Sequence, residues 1–407
     1  MKNVLFAAPF AMDTTNRFVE AAARHPGCRT YLLSQDPVEK FPRGVREHLA
    51  DHWRVGNILD ANELTQAVSS IRDRLGTVDR LVGTLEHLQE ALAETRERLS
   101  IPGLRPEAAR NFRDKSRMKD VLRAAGLPCA RHRLLTDPAR AAAEVAELGL
   151  PVVVKPPDGA GAKATYQVKD EQALAEVLAR HPPHPQRPLL AEEFIQGTEH
   201  SFDGVSIDGQ LIWHSMTHYL PNPLDVVENP WIQWCVLLPR EIDDPAFDDI
   251  RESASQSLDA LGMETGVSHM EWFRRPDGSI AISEVGARPG GAQISKLISY
   301  AHDESFYRMW ARVMIDGEFT APRREYAAGA AFLRGQGAGQ RVRAVRGLAT
   351  AQREIGELVV ETNLPRLGQP VSSSYEGEGY VILRHRETAV VEQALKRLIT
   401  LVKVELG

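Results

Sequence analysis

The apolar positions of this chain alternate between short runs and helical spacing. Runs at residues 3–9, 30–33 and 80–83 predict buried strands. Residues 14–24 and 63–75 repeat apolar positions at helical period and predict helices between those strands. This βαβ alternation predicts a small parallel sheet over residues 1–110. No Gly-x-Gly-x-x-Gly follows the first strand, which argues against a dinucleotide site there.

The pattern changes after Asn111. Residues 114–125 predict a basic amphipathic helix, stopped by Gly126 with Pro128 behind it. Strands are expected at 151–155, 164–168 and 189–194, with a glycine-bearing loop at 156–163, a helix at 171–180 and a proline-rich connector at 181–188. Residues 201–207 and 210–214 predict a hairpin around Asp208-Gly209, and 245–262 a helix with proline in its first turn. A second hairpin follows at 269–286. Beyond about residue 325, a glycine-rich basic segment at 335–347 opens a third region, which ends in a strand at 379–383 and a helix from 388 to about 402. Val390, Val391, Ala394, Leu395, Leu398 and Ile399 give that helix one apolar stripe.

Composition narrows the function classes. The 407 residues suffice for two or three domains, and 43% hydrophobic with 26% charged residues is the balance of a soluble globular protein. A net charge of -6 supplies no basic field for nucleic acid. No apolar run approaches the roughly 20 residues of a membrane span. Cys28, Cys129 and Cys235 are scattered, without disulfide or zinc spacing, and the first residues lack a signal segment, so a reducing cytoplasm is expected.

The most informative chemistry lies in the 269–286 hairpin. With Asp277-Gly278 as a two-residue loop, Pro276 would pair with Ser279 and Glu271 would face Glu284. Like charges directly opposed cost stability, so the pair calls for a proton on one member or a cation between them. Strand alternation puts His269, Glu271, Glu284 and Arg288 on one face. Hard oxygens on a rigid hairpin suit Mg²⁺, and Arg288 suits a phosphate or oxyanion. A solvated face carrying two exposed acids is the plainer alternative.

Other segments are ambiguous alone. Lys155 ends a strand before a loop containing Gly159 and Gly161, which could cradle phosphates or form a surface hairpin. Lys115 and Lys119 lie one helical turn apart and, with Arg117, read most simply as a solvated basic face. Glu192, Glu193, Phe194 and Ile195 run a strand into a turn before Glu199. Residues 213–240 are rich in aromatics (Trp213, His214, His218, Tyr219, Trp231, Trp234), which fits either a substrate pocket or a core cluster.

The order of these segments resembles the ATP-grasp superfamily over about residues 1 to 330. That resemblance implies an α/β protein with a Rossmann-like parallel N-terminal domain (1–110), an ATP-grasp α+β domain (111–325, flap subdomain about 128–195) and a C-terminal α+β cap region (326–407). The cap region more loosely resembles that of ATP-grasp L-amino-acid ligases. It further implies that Lys115 and Lys155 contact phosphates, and that loop 157–163 with Gly159 and Gly161 closes over them. Glu192 would take the adenine amino group, Glu193, Phe194 and Ile195 would line the adenine edge, and Glu199 would hold the ribose. Glu271 and Glu284 would ligate Mg²⁺ (Mn²⁺ is an alternative), and Arg288 would steady the reacting acyl phosphate, with His269 beside it. Gly286 stands where the family usually has an asparagine ligand, so a water or another side chain must complete that shell.

The implied activity is an ATP-dependent carboxylate–amine ligase that forms an amide through an acyl phosphate. Its substrates would be amino acids or small carboxylic acids; a homodimer is left open, and neither nucleic acid nor membrane is an expected partner. The alternatives are an ATP-grasp enzyme of purine or carboxylase type and a non-catalytic nucleotide sensor.

Overall fold

The computed structural model describes residues 1–159, 164–229 and 231–407. Strands Lys2–Ala7, Cys28–Ser34, Asp51–Arg54 and Arg80–Val82 form a four-stranded sheet. Every pairing in it is parallel, as the alternation of runs and helices predicts. Helices Ala61–Leu75 and Gln89–Leu99 cover one face with Leu64, Val68, Ile71, Ala91 and Leu92. Opposite them, helix Asp13–Ala23 packs on Phe306–Asp316, where Phe18 meets Tyr307 and Trp310 edge-on. The N-terminal sheet is thereby joined to the rest of the molecule by a shared apolar core.

A second sheet of four antiparallel strands, His132–Leu135, Leu189–Glu193, Val152–Lys155 and Tyr166–Val168, carries helices Pro138–Leu148 and Glu171–Arg180. Both helices begin at aspartate N-caps, Asp137 and Asp170, whose carboxylates accept first-turn N–H groups.

The largest sheet has eight strands. In spatial order they are Ile280–Gly286, Gly266–Arg274, Thr198–Ile207, Gln210–Leu220, Trp234–Leu238, Ala327–Leu333, Gly379–His385 and Val359–Asn363, all antiparallel to their neighbours. The residue-325 boundary therefore falls inside a continuous sheet, with three strands from beyond it. Helix Thr388–Leu401 lays Val391, Ala394, Leu395 and Leu398 on those strands, the stripe read from its sequence. None of the described helices is long and apolar enough to cross a membrane.

Candidate active site

Glu271 does face Glu284, but not by the route the turn chemistry suggested. The loop is three residues long. Gly278 N–H bonds the Arg275 carbonyl at 2.9 Å, Arg275 opposes Ser279, and of the turn residues only Gly278 (φ +85°) has positive φ. Pro276 favours the ordinary turn sense at the first central position, whereas a two-residue primed loop would require positive φ at Asp277 as well. That shifts the register by one: Arg274 pairs with Ile280 and Trp272 with Ile282. A bulge at Ser283 then shifts it back, so that Glu271 pairs with Glu284 and His269 with Gly286. The two offsets cancel at the carboxylates.

The cation demanded by this pair is partly built into the chain. Lys115 Nζ lies 2.8 Å from Glu284 Oε1 and also donates to the Gly159 carbonyl at 2.7 Å. Asp114, whose carboxylate caps this helix, puts Lys115 in the first turn. Burial alone would raise the Glu284 carboxyl, but Lys115, Lys155 and Arg288 outweigh it and bring it down to about 2. Glu284 is therefore ionised at neutral pH.

Lys119 is not a solvated neighbour of Lys115. It is fully buried, with Nζ 3.1 Å from Glu192 Oε2 and bonded to the Ser283 carbonyl. Burial is the largest influence on this ammonium and lowers its pKa, against the pull of Glu192. Lys155 pairs with the other Glu192 oxygen. Glu192 is opposed by burial but held down to about 2 by Lys119 and Lys155. The predicted basic face thus divides between an exposed Arg117, a cavity-facing Lys115 and a buried Lys119.

At the end of the Glu192 strand, Glu193 pairs with Arg131 at 2.8 Å and Arg275 at 2.6 Å, so its side chain is occupied by arginines. The Glu193 and Phe194 N–H groups bond the carbonyls of Arg131 and Pro151. Among the described residues, the Ile195 N–H has no protein acceptor. Glu199 is buried, and burial together with Glu271 lifts its carboxyl well above the usual range.

His269 Nδ1 is 2.9 Å from Asp203 Oδ1, and Nε2 is 3.8 Å from Glu271 Oε1. Burial opposes its charge, but Asp203 dominates with help from Glu271 and raises it to about 9. Asp203 and Glu271 thereby favour the protonated form of His269. Arg288 Nε bonds Glu86, a buried carboxylate of the N-terminal region 202 positions away. A Cβ at Gly286 would come within 3.1 Å of Glu86 Oε2, a tight approach.

Lys115, Lys155, Gly159, Glu192, Glu193, Phe194, Ile195, Glu199, His269, Glu271, Glu284 and Arg288 line one cavity of about 210 Å³. Gly161 lies outside the described residues, as does most of the predicted flap. The aromatic segment divides: Tyr219, Asn222 and Trp234 line the cavity, Trp213 packs in the core against His302 and Phe319, and Trp231 is exposed. Sequence reading missed Glu86, Asp203 and Tyr375, a cavity residue contributed by the C-terminal region. No local spacing signals any of the three. Among the described residues, no cluster of three or more acid, histidine or cysteine side chains forms a closed metal cage. Two opposed carboxylates open to a cavity remain, a donor set suited to a hard cation that completes its shell with phosphate and water.

Residues 120–293 match the ATP-grasp domain family. An L-arginine-specific L-amino acid ligase of Bacillus subtilis is 26% identical over 263 residues, covering 62% of this chain and 61% of that protein. An uncharacterised protein of Sinorhizobium fredii is 25% identical over 260 residues, covering 63% and 49%. The chain thus spans about half to three-fifths of the length of these curated relatives. The crystal structure of an L-amino acid ligase from Bacillus licheniformis superposes with a TM-score of 0.78 at 19% identity, over 100% of this chain and 99% of that one. Residues 120–293 are an ATP-grasp domain, and the chain has the fold of the ATP-grasp superfamily.

Proposed function

We propose that this protein is a cytoplasmic, ATP- and Mg²⁺-dependent carboxylate–amine ligase acting on amino acids or small carboxylic acids. One observation carries the reading: within an ATP-grasp fold, two carboxylate-paired lysines, a strand-end N–H, an opposed carboxylate pair and a buried arginine converge on one cavity. The similarity to amino acid ligases supports the choice of substrates.

In this reading the substrate carboxylate attacks the γ-phosphate of ATP, ADP leaves, and the amine nitrogen displaces phosphate from the acyl phosphate. Lys115 and Lys155 neutralise the phosphates as charge shifts, and Arg288, aimed by Glu86, stabilises the oxyanion of the acyl and tetrahedral species. Glu271 and Glu284 would hold Mg²⁺, which when bound would neutralise phosphate charge. The Ile195 N–H takes the adenine edge and Glu199 the ribose. Glu192, clasped by two lysines, acts on the nucleotide chiefly by holding Lys155 in place. His269, held by Asp203, orients Glu271. Among the described residues, nothing in the site is arranged as a covalent nucleophile, and this chemistry needs positioning and charge more than one.

The direct test is phosphate release from ATP across pairs of amino acids and short acids. Amine-dependent release with amide product is expected for some pair; ATP binding without release from any pair would favour a nucleotide sensor. In the same assay, Lys155→Ala should raise the KM for ATP and lower kcat, each by about tenfold or more. Unchanged values would reduce Lys155 to a structural partner of Glu192.

A further inference from the structure

Tyr375 reaches the cavity from a loop with its own scaffold. Ser374 N–H donates to Ser372 Oγ at 3.0 Å, and Gly377 N–H to the Ser374 carbonyl at 3.0 Å. The buried Glu378 accepts from Ser372 N–H at 2.8 Å and Gly335 N–H at 2.5 Å. Glu376 Oε2 accepts from Gln293 Nε2 at 2.8 Å, which ties the loop to the segment following Arg288. The Tyr375 ring meets Trp234 edge-on, with centroids 5.1 Å apart. Its hydroxyl stands 3.4 Å from where a Cβ on Gly291 would lie. Burial, with Glu376 and Glu271 nearby, pushes the phenol up to about 12, so the ring meets a ligand uncharged.

These contacts place an aromatic wall on the cavity beside Arg288. On the proposed reading, the nucleotide occupies the Lys155–Ile195 side and the reacting carboxylate lies between Arg288 and the Glu271–Glu284 pair. The rest of the acid must then project toward walls that include Tyr219, Trp234, Ala292, Ile294 and Tyr375, with Asn222 and Asp225 also on the cavity lining. The three aromatic rings make this wall bulky, so it limits volume.

We infer that Tyr375 sets the size limit of the carboxylate substrate, restricting the site to acids with short side chains. This rests on the ligase reading above. One or two methylenes against a packed wall change kcat/KM by about 10- to 200-fold, so the limit is measurable.

The experiment compares kcat/KM for alanine, valine, leucine and phenylalanine as acid, with one saturating amine, in wild type, Y375A and Y375F. Wild type is expected to prefer alanine or valine. Y375A should raise the phenylalanine-to-alanine ratio at least about tenfold, whereas Y375F should keep it within about threefold because the ring remains. An unchanged ratio in Y375A, with wild type active, overturns the inference and leaves the ligase reading standing. An equal rise in Y375F overturns it too, by assigning the effect to the hydroxyl. If Y375A does not fold, Y375L carries the same comparison. A wild type that releases no phosphate with any acid overturns the ligase reading and this inference together.

Discussion

Replacing Glu284 by glutamine is expected to lower kcat by about 10²–10³-fold while the protein still folds. The amide keeps the side-chain volume and can still accept a hydrogen bond from Lys115, so the 2.8 Å contact can persist without its charge. What disappears is one of the two anionic oxygen donors facing the cavity. Phosphate release measured against Mg²⁺ concentration should need more metal and reach a lower plateau, with a melting temperature within a few degrees of wild type. A normal plateau at saturating Mg²⁺ would show that Glu284 is only a partner for Lys115.

The second large effect concerns stability. Lys119→Met should destabilise the fold by about 3 kcal/mol or more. The lysine is fully buried between Glu192 and the Ser283 carbonyl, and methionine fills the stem but removes a charge partner of the buried Glu192 and the donor to the Ser283 carbonyl. Urea unfolding would read the loss as a lower midpoint at constant slope. Adding Glu192→Gln should cost less than the sum of the two single changes, since the pair shares one interaction. A loss below about 0.5 kcal/mol, the range of ordinary surface substitutions, would return Lys119 to the solvated face that its helical spacing suggested.

That spacing illustrates what the chain discloses in advance. Periodicity correctly put Lys115 and Lys119 near one another on a helix, but burial depends on strands that arrive from residues 189–193 and 280–286. Helix Glu171–Arg180 was legible to the residue, because it has an aspartate cap and a clear apolar stripe. Strand Asp51–Arg54 was not, being short, polar and at a sheet edge. Strand Ala327–Leu333 is mostly alanine, which carries little β-propensity, and only its place between two other strands makes it one. In the site, every described position suggested by motif order lines the cavity. Their partners were invisible: Glu86 and Arg288 meet across 202 residues, and Tyr375 approaches from a loop with no local chemical signature.

The cancelling offsets in the hairpin have an evolutionary consequence. The extra residue at the turn and the extra residue at Ser283 form a matched pair of insertions, and losing either alone would rotate Glu284 away from Glu271. Length changes in this hairpin are therefore tolerable only in twos, one at the tip and one at the bulge. The bulge is fixed from a second direction, because the Ser283 carbonyl bonds the buried Lys119. A lineage could shorten the turn only by also giving up the lysine's anchor, so a distant helix restrains the length of a surface loop.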